Sequence, residues 1–228
     1  MSRLAAALGF AVAAAARPAP AQEFLDRGTF LIERAGNEVG REEFAIRSAR
    51  AGAGGILAVA TVHYRDRELR SALDLTGDLQ PVGYQLDVSS AGRVVERLSI
   101  QFGRGRIAVR LASQQREGLR EFPAEPRIAV LDDDIFHQFY FLPRAAAGGV
   151  LALRFLQPRS PAVVGGTVRR VGPDTVSVGG RTLPADHFAL LLDTGEERDF
   201  WFTAAGDLLR VAIPSREIVA TRTALPPR

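Results

Sequence analysis

The strongest constraint on the fold is an alternation of apolar and polar residues that runs through most of the chain from Arg27 onward. In the segment Val82–Val88, valine, tyrosine, leucine and valine occupy every second position, with Gln85 and Asp87 between them. A period of two is typical of β-strands that bury one face, whereas an amphipathic helix repeats every 3.6 residues. The sequence therefore predicts a mainly β protein.

Short turns separate the alternating segments. Turn-forming residues occur, for example, at Ala35–Glu38, Ser89–Gly92 and Gly103–Gly105, so that a new strand begins roughly every 10 to 15 residues. Parallel strands need longer crossover connections, so this spacing predicts an antiparallel meander. Because long meanders curl, we expect an all-β fold in which a curled antiparallel sheet forms a half-barrel or open barrel, as a single domain over residues 22–228.

One segment, Leu131–Leu142, departs from the alternation. Its apolar residues at positions 135, 136, 139 and 142 have helical spacing, and Pro143 follows it. Aspartates at positions 132 to 134 suit the N-cap and the dipole of a helix. The pattern predicts one short helix around residues 132–142, lying against the open side of the sheet.

The first 21 residues have the layout of a secretory signal peptide. A basic start at Arg3 precedes an apolar run from Leu4 to Ala16, and Ala19 and Ala21 stand at the −3 and −1 positions of a cleavage site. We expect a signal peptide at residues 1–21, cleavage near Ala21, and a periplasmic or secreted protein. An uncleaved anchor or a buried helix is the alternative. No later segment approaches the roughly 20 apolar residues of a membrane span, so no transmembrane segment is expected in the mature chain.

The amino-acid composition bears on how the fold is stabilised and on whether the protein binds nucleic acid. There is no cysteine, so the fold must be held by its core without disulfides. All 29 basic residues counted as Lys and Arg are arginines, against 26 acidic residues. The pI of about 10.1 thus reflects the high pKa of guanidinium more than an excess of charge. Because the arginines are spread along the chain, we expect no nucleic-acid partner.

The sequence contains only weak matches to known catalytic motifs. Asp193-Thr194-Gly195 resembles the active-site loop of aspartic proteases. However, the sequence has no second copy, Glu196 replaces a small residue, and too few residues follow to complete a protease lobe. The motif is better interpreted as a hairpin turn. No serine-nucleophile or phosphate-loop motif is present, so no catalytic residue is assigned.

Three side chains near the predicted helix could in principle bind a metal. Asp132, Asp134 and His137 supply oxygen and imidazole donors, but capping and solvated charge explain the aspartates more simply. We therefore predict no metal site and no cofactor. His63 and His187 are interpreted as structural histidines. A hydrolase that uses His137 or His187 with nearby aspartates is the least favoured of the functional hypotheses.

The aromatic side chains lie mostly on predicted strands or on the helix. They either fill a core or line a concave apolar pocket for a lipid-like ligand. The candidate lining residues are Tyr64, Tyr84, Phe102, Phe136, Phe139, Tyr140 and Trp201. Trp201 and its neighbours Phe200 and Phe202 are also expected to form the seam that closes the sheet, with Leu209, Val211 and Ile213 on the final strand.

Both ends of the mature chain resemble a known group. The opening segment Gly28–Glu42 and the closing segments Asp186–Phe188, Phe200–Phe202 and Gly206–Val211 resemble those of DUF3108-like exported proteins of unknown function, whose sheet is similar to the LolA/LolB lipoprotein-carrier half-barrel. The resemblance implies a curved sheet with an apolar cavity in the cell envelope, and it brings no catalytic residues.

Two functional hypotheses follow. The first is non-enzymatic binding of an apolar or amphipathic ligand within the concavity. The alternative is a structural or assembly factor of an envelope complex, which predicts a filled interior and an exposed apolar patch or sheet edge that captures a protein partner. Whether the concave face is empty or filled distinguishes the two.

Overall fold

The computed structural model describes residues 23–48, 54–145, 150–160 and 162–225. The predicted signal peptide lies outside these residues. The strands are β1 (Phe24–Arg34), β2 (Asn37–Ser48), β3 (Ile56–Tyr64), β4 (Glu68–Leu75), β5 (Pro81–Ser90), β6 (Arg93–Phe102), β7 (Arg106–Ser113), β8 (Glu117–Pro123), β9 (Ile128–Val130), β10 (Leu151–Gln157), β11 (Ala162–Val178), β12 (Arg181–Leu192), β13 (Glu197–Phe202), β14 (Leu208–Ile213) and β15 (Ile218–Arg222).

All fifteen strands belong to one sheet. The strands β1 to β8 lie side by side in chain order and form a meander. The other side of β1 pairs with β15. Beyond β15 the strands lie in reverse chain order, from β14 to β9. The pair β9 and β10 is parallel, and the other pairs are antiparallel. The sheet is left open between β8 and β9. The predicted fold class, a curled and open antiparallel sheet, is confirmed.

The sheet encloses its core on one side, as the alternation predicts. In β4, for example, Leu69, Ser71, Leu73 and Leu75 are buried and point inward, and the residues between them are more exposed. Inward side chains from β7 and from β10, near opposite ends of the sheet, belong to the same apolar cluster. The burial of each large apolar side chain contributes about 1.5–3 kcal/mol, which explains how the fold holds without disulfides.

The helical segment differs in its bounds and its capping from the prediction. A 3-10 turn covers His137–Phe141 and a single α-helical turn, α1, covers Leu142–Ala145, so the helix begins at 137 rather than 132. No side chain caps it at Phe136, which stands at the N-cap position. The aspartates therefore do not cap the 3-10 turn. Their side chains bind arginines, and Asp132 also accepts the backbone N–H of Asp134 at 3.3 Å.

The segment Leu131–Leu142, here called the inner segment, lies within the curl of the sheet. Its side chains are buried except for the partly exposed Asp133, and its 3-10 turn contacts β3 and β14. The concave face is thus filled by the protein's own chain. A second 3-10 turn, Pro214–Arg216, connects β14 to β15. In the described ranges no helix combines the length and the hydropathy needed to span a bilayer.

The Asp193-Thr194-Gly195 motif forms a hairpin turn, as predicted. It connects β12 to β13, which pair antiparallel. The backbone N–H of Gly195 donates to the carbonyl of Leu192 at 2.8 Å, and that of Leu192 donates to the carbonyl of Glu196 at 2.9 Å. Gly195 has a φ of +86°, a conformation that suits glycine.

Trp201 points away from its two phenylalanine neighbours. Phe200 and Phe202 face the main core, whereas Trp201 packs on the outer face of the sheet. There it belongs to a smaller cluster with Val176, Val178, Ala185, Leu209 and Ala212. The expected seam is divided between the two faces of the sheet: Leu209 lies with Trp201 in the outer cluster, whereas Val211 and Ile213 lie with the two phenylalanines in the main core. These residues belong to β14, which β15 follows.

Replacing Trp201 by alanine is expected to destabilise the fold by about 3–5 kcal/mol, because it empties the centre of the outer cluster. It also removes the indole N–H donated to Asp174 at 2.8 Å and the ring stacked on His187 at 4.5 Å. Urea unfolding measures the change. Leu191→Ala, at a half-exposed position of β12, is the control and should have little effect. A loss of less than about 1 kcal/mol in Trp201→Ala would show that the cluster contributes little.

Candidate functional site

Glu42 on β2 holds the start of the 3-10 turn. Its carboxylate is fully buried and accepts the backbone N–H groups of Phe136 at 2.6 Å and His137 at 3.0 Å. It also binds Nδ1 of the His137 ring at 2.6 Å. These bonds satisfy N–H groups that a helix start leaves free. Glu42 therefore performs the capping that the sequence led us to expect from the aspartates.

Asp132 is held by a tyrosine and an arginine. The Tyr84 hydroxyl donates to it at 3.0 Å, and Arg159 binds the same carboxylate through Nη2 at 2.6 Å and Nε at 3.0 Å. Burial raises the pKa of Asp132, and the charge of Arg159 opposes this effect. Burial and the Asp132 charge raise the pKa of Tyr84 well above its usual value, so Tyr84 keeps its proton and acts as the donor.

Asp134 shares the same arginine. Arg159 binds it at 2.8 Å and Arg67 at 2.9 Å, and the Tyr64 hydroxyl donates to it at 3.4 Å. The two carboxylates raise the pKa of Arg159, although burial alone would lower it. The loop that carries Arg159 is thereby fixed to the inner segment.

Asp133 belongs to a second ionic cluster. It pairs with Arg198 and with Arg216, each at 2.8 Å, and both arginines also bind Glu196. Burial raises the pKa of Asp133, but hydrogen bonds from Arg216 and the Arg198 charge outweigh burial and lower it overall. The three aspartates thus attach the inner segment to arginines of β13 and of three separate connections between strands.

The predicted lining residues are distributed over several environments. Phe136, Phe139 and Tyr140 are buried parts of the inner segment, and Tyr64 and Tyr84 bind its aspartates. Phe102 packs partly buried at the main core, and Trp201 lies in the outer cluster. The structure therefore brings five of the seven together around the inner segment. One of them, Tyr64, also lines a separate surface cavity of about 500 Å³ together with His63 and Arg67.

A cavity of about 500 Å³, here called the mouth pocket, opens beside the end of the inner segment. Four separate parts of the chain form its wall: the β4–β5 turn, the start of β9, the end of the inner segment with α1, and β10. Its lining residues are Gly77, Asp78, Leu79, Gln80, Arg127, Ile128, Ala129, Phe141, Leu142, Arg144, Leu151 and Leu153. None of the seven predicted residues is among them, and no sequence motif indicates the pocket.

Two residues of the mouth pocket have left-handed backbone. Leu79 has a φ of +65° and Arg127 a φ of +56°. Such a conformation costs a residue with a side chain about 1–2 kcal/mol, and glycine would avoid this cost. Gly77 beside them has no room for a side chain, since an added Cβ would lie 2.4 Å from the carbonyl oxygen of Gly54. The rim is therefore closely packed at Gly77. The large side chains of Leu79 and Arg127 occupy rim positions whose backbone conformation would favour glycine.

The histidines of the hydrolase hypothesis each bind one carboxylate. His187 Nε2 lies 2.7 Å from Asp199 on the outer face. His137 is fully buried, and its Nε2 has no hydrogen-bond partner among the described residues. Within the same residues, no three histidine or acidic side chains are grouped so that they could hold a metal ion.

Comparisons with known proteins support the fold. No protein-family model and no curated protein matches the sequence. Among solved structures, the chain is similar to the crystal structure of a β-barrel-like protein of the domain of unknown function DUF1849 from Brucella abortus. The TM-score is 0.55 at 11% identity, over 89% of this chain and 97% of that one. This similarity shows a β-barrel-like fold, and membership of the DUF3108-like or LolA-like groups stays a prediction.

Proposed function

We propose that this protein binds an apolar or amphipathic ligand in the mouth pocket, without catalysis, in the cell envelope. The observation that carries the proposal is the pocket itself, where leucine, isoleucine and phenylalanine side chains line a cavity of about 500 Å³. Ligand pockets typically have this size, a mostly apolar lining and a few polar groups. The location in the envelope rests on the signal-peptide pattern of residues 1–21.

The pocket replaces the concavity as the binding site. The inner segment and its ionic partners occupy the interior, so a ligand there would have to displace buried charge pairs such as Arg159 with Asp132. Separating such pairs costs several kcal/mol for each uncompensated charge, on the order of 3–5. The mouth pocket needs no such displacement.

The alternative, a structural or assembly factor, is favoured by the filled interior. Its second requirement is met less well. The edge strand β8 exposes Leu119, but the next two residues are the charged Arg120 and Glu121, and the strand ends at Pro123. Charges and proline at an edge oppose the addition of a strand. The other edge strand, β9, has only three residues.

The test is to fill the mouth pocket. Ala129→Trp places a large ring at a partly buried position of its wall. We expect the wild-type protein to bind the neutral fluorescent probe N-phenyl-1-naphthylamine at one saturable site and the variant to bind it at least about tenfold more weakly. Ala108→Trp, at a partly buried position of β7 outside the pocket, is the matched control and should bind normally. No saturable binding by the wild type, or equal binding by Ala129→Trp, would refute the proposal.

A further inference from the structure

We propose that the ligand of the mouth pocket is an anionic amphiphile, whose acidic group binds Arg127 and Arg144 while its apolar part enters the pocket. This inference rests on the proposed function, and it adds the charge of the ligand and the residues that recognise it.

Arg127 presents an unmatched charge at the rim. Its side chain is exposed and makes no hydrogen bond or ion pair with any described residue. Glu125, two residues earlier, is paired with Arg154 at 2.7 Å. The backbone of Arg127 is held by a bond from the Arg154 N–H to its carbonyl at 3.2 Å. A fixed backbone thus carries a free guanidinium at the pocket.

Arg144 is positioned by neutral groups. Its guanidinium lies 3.7 Å from the centre of the Tyr140 ring and donates to the carbonyls of Tyr140 at 2.7 Å and Gly206 at 3.3 Å. These two acceptors are uncharged, and they orient the side chain. An arginine that is held in place before binding, and whose remaining N–H groups are not hydrogen-bonded, is suited to bind carboxylate or phosphate oxygens.

The contrast with the interior supports the charge assignment. The buried Arg198 and Arg222 and the partly buried Arg159 each bind at least one carboxylate. In the mouth pocket, Asp78 is the one acidic lining residue, and it accepts a hydrogen bond from the Thr76 hydroxyl. With two arginines against one aspartate, the wall carries a net positive charge and attracts an anion.

The backbone strain at Arg127 makes it possible to distinguish a ligand-binding role of this residue from a structural one. Because Arg127 has left-handed backbone, Arg127→Gly removes the charge and relieves strain together. A residue with a purely structural role would lose stability on replacement. Here the variant should be at least as stable as the wild type while binding the anion more weakly.

The experiment compares dodecyl compounds that differ only in their head group, each below its micelle concentration, by titration calorimetry. Laurate and dodecyl phosphate should bind at least about tenfold more tightly than dodecanol and dodecyltrimethylammonium. Arg127→Gly and Arg144→Gln should each weaken laurate binding by about tenfold and leave dodecanol binding unchanged. Acetate and inorganic phosphate should bind far more weakly than the dodecyl anions.

Two control variants separate the effects. Ala35→Gly relieves the same backbone strain in the β1–β2 turn, and Arg104→Ala removes an exposed charge in the β6–β7 turn; neither should change laurate affinity.

If no dodecyl compound binds, the proposed function fails. If dodecanol binds as tightly as laurate, or if Arg104→Ala weakens laurate as much as Arg127→Gly does, the ligand's charge is not recognised at this site and only this inference fails. If acetate binds as tightly as laurate, the apolar part contributes nothing and the assignment of an amphiphile is overturned.

Discussion

Glu42→Ala is expected to destabilise the protein by about 3–5 kcal/mol, since it leaves several buried donors without an acceptor. The backbone N–H groups of Phe136 and His137 and the His137 ring all bind this carboxylate. All of them are buried, so water cannot replace the lost oxygens without entering the core. Chemical denaturation measures the loss, and hydrogen exchange at residues 136 and 137 should become faster.

Two further variants test the cause. Glu42→Gln keeps one acceptor oxygen and should lose less stability than Glu42→Ala. Glu43→Ala, at the next and exposed position of β2, should change stability by less than about 0.5 kcal/mol. If Glu42→Ala were as stable as Glu43→Ala, the Glu42 carboxylate would contribute nothing to holding the inner segment.

Arg222→Ala should have an effect of similar size, again about 3–5 kcal/mol, because it leaves a buried carboxylate uncompensated. The guanidinium of Arg222 is fully buried and binds Asp26 through two bonds, at 2.7 and 3.0 Å. It also donates to the carbonyls of Leu208 at 3.2 Å, Ala224 at 3.0 Å and Arg27. This one side chain therefore joins β15 to the start of β1 and to β14.

A double-mutant cycle with Asp26→Asn measures the pair directly. The double variant should lose less stability than the sum of the losses in the two single variants, because each single change leaves the other group buried without its ion-pair partner. Arg222→Lys retains the charge but cannot form two parallel bonds, so it should restore only part of the stability. Arg181→Ala, exposed at the start of β12, is the control. Strict additivity of Arg222→Ala and Asp26→Asn would mean that the two groups do not interact.

The sheet was predictable because its signal is local. Alternation places Tyr84 and Leu86 on one face of β5 wherever the strand lies in the sheet, and turn residues such as Gly195 mark where strands end. The alternation fails at Phe200-Trp201-Phe202, where all three side chains are buried. There the β11–β12 hairpin contributes apolar side chains to the outer face, so both faces of β13 are covered.

The candidate site was not predictable because its contacts are distant in the sequence. Glu42 and His137 are 95 residues apart, and their contact leaves no periodic pattern. The three aspartates 132 to 134 have the same composition as a helix cap, and only the positions of Arg159 and Arg198 reveal them as ion-pair partners. The mouth pocket combines four segments, each of which is an ordinary turn or strand by itself.

The position of β15 between β1 and β14 governs how the protein can assemble. The strands β1 to β8 form one continuous meander, and β9 to β14 form a second group, and β15 is the strand that pairs with both. It follows all the others in the sequence. The two groups therefore cannot become one sheet, and the inner segment cannot be enclosed between them, until β15 has paired with both β1 and β14. The pairing of β1 with β15 joins Phe30 to Arg222, a non-local contact of the kind that slows folding.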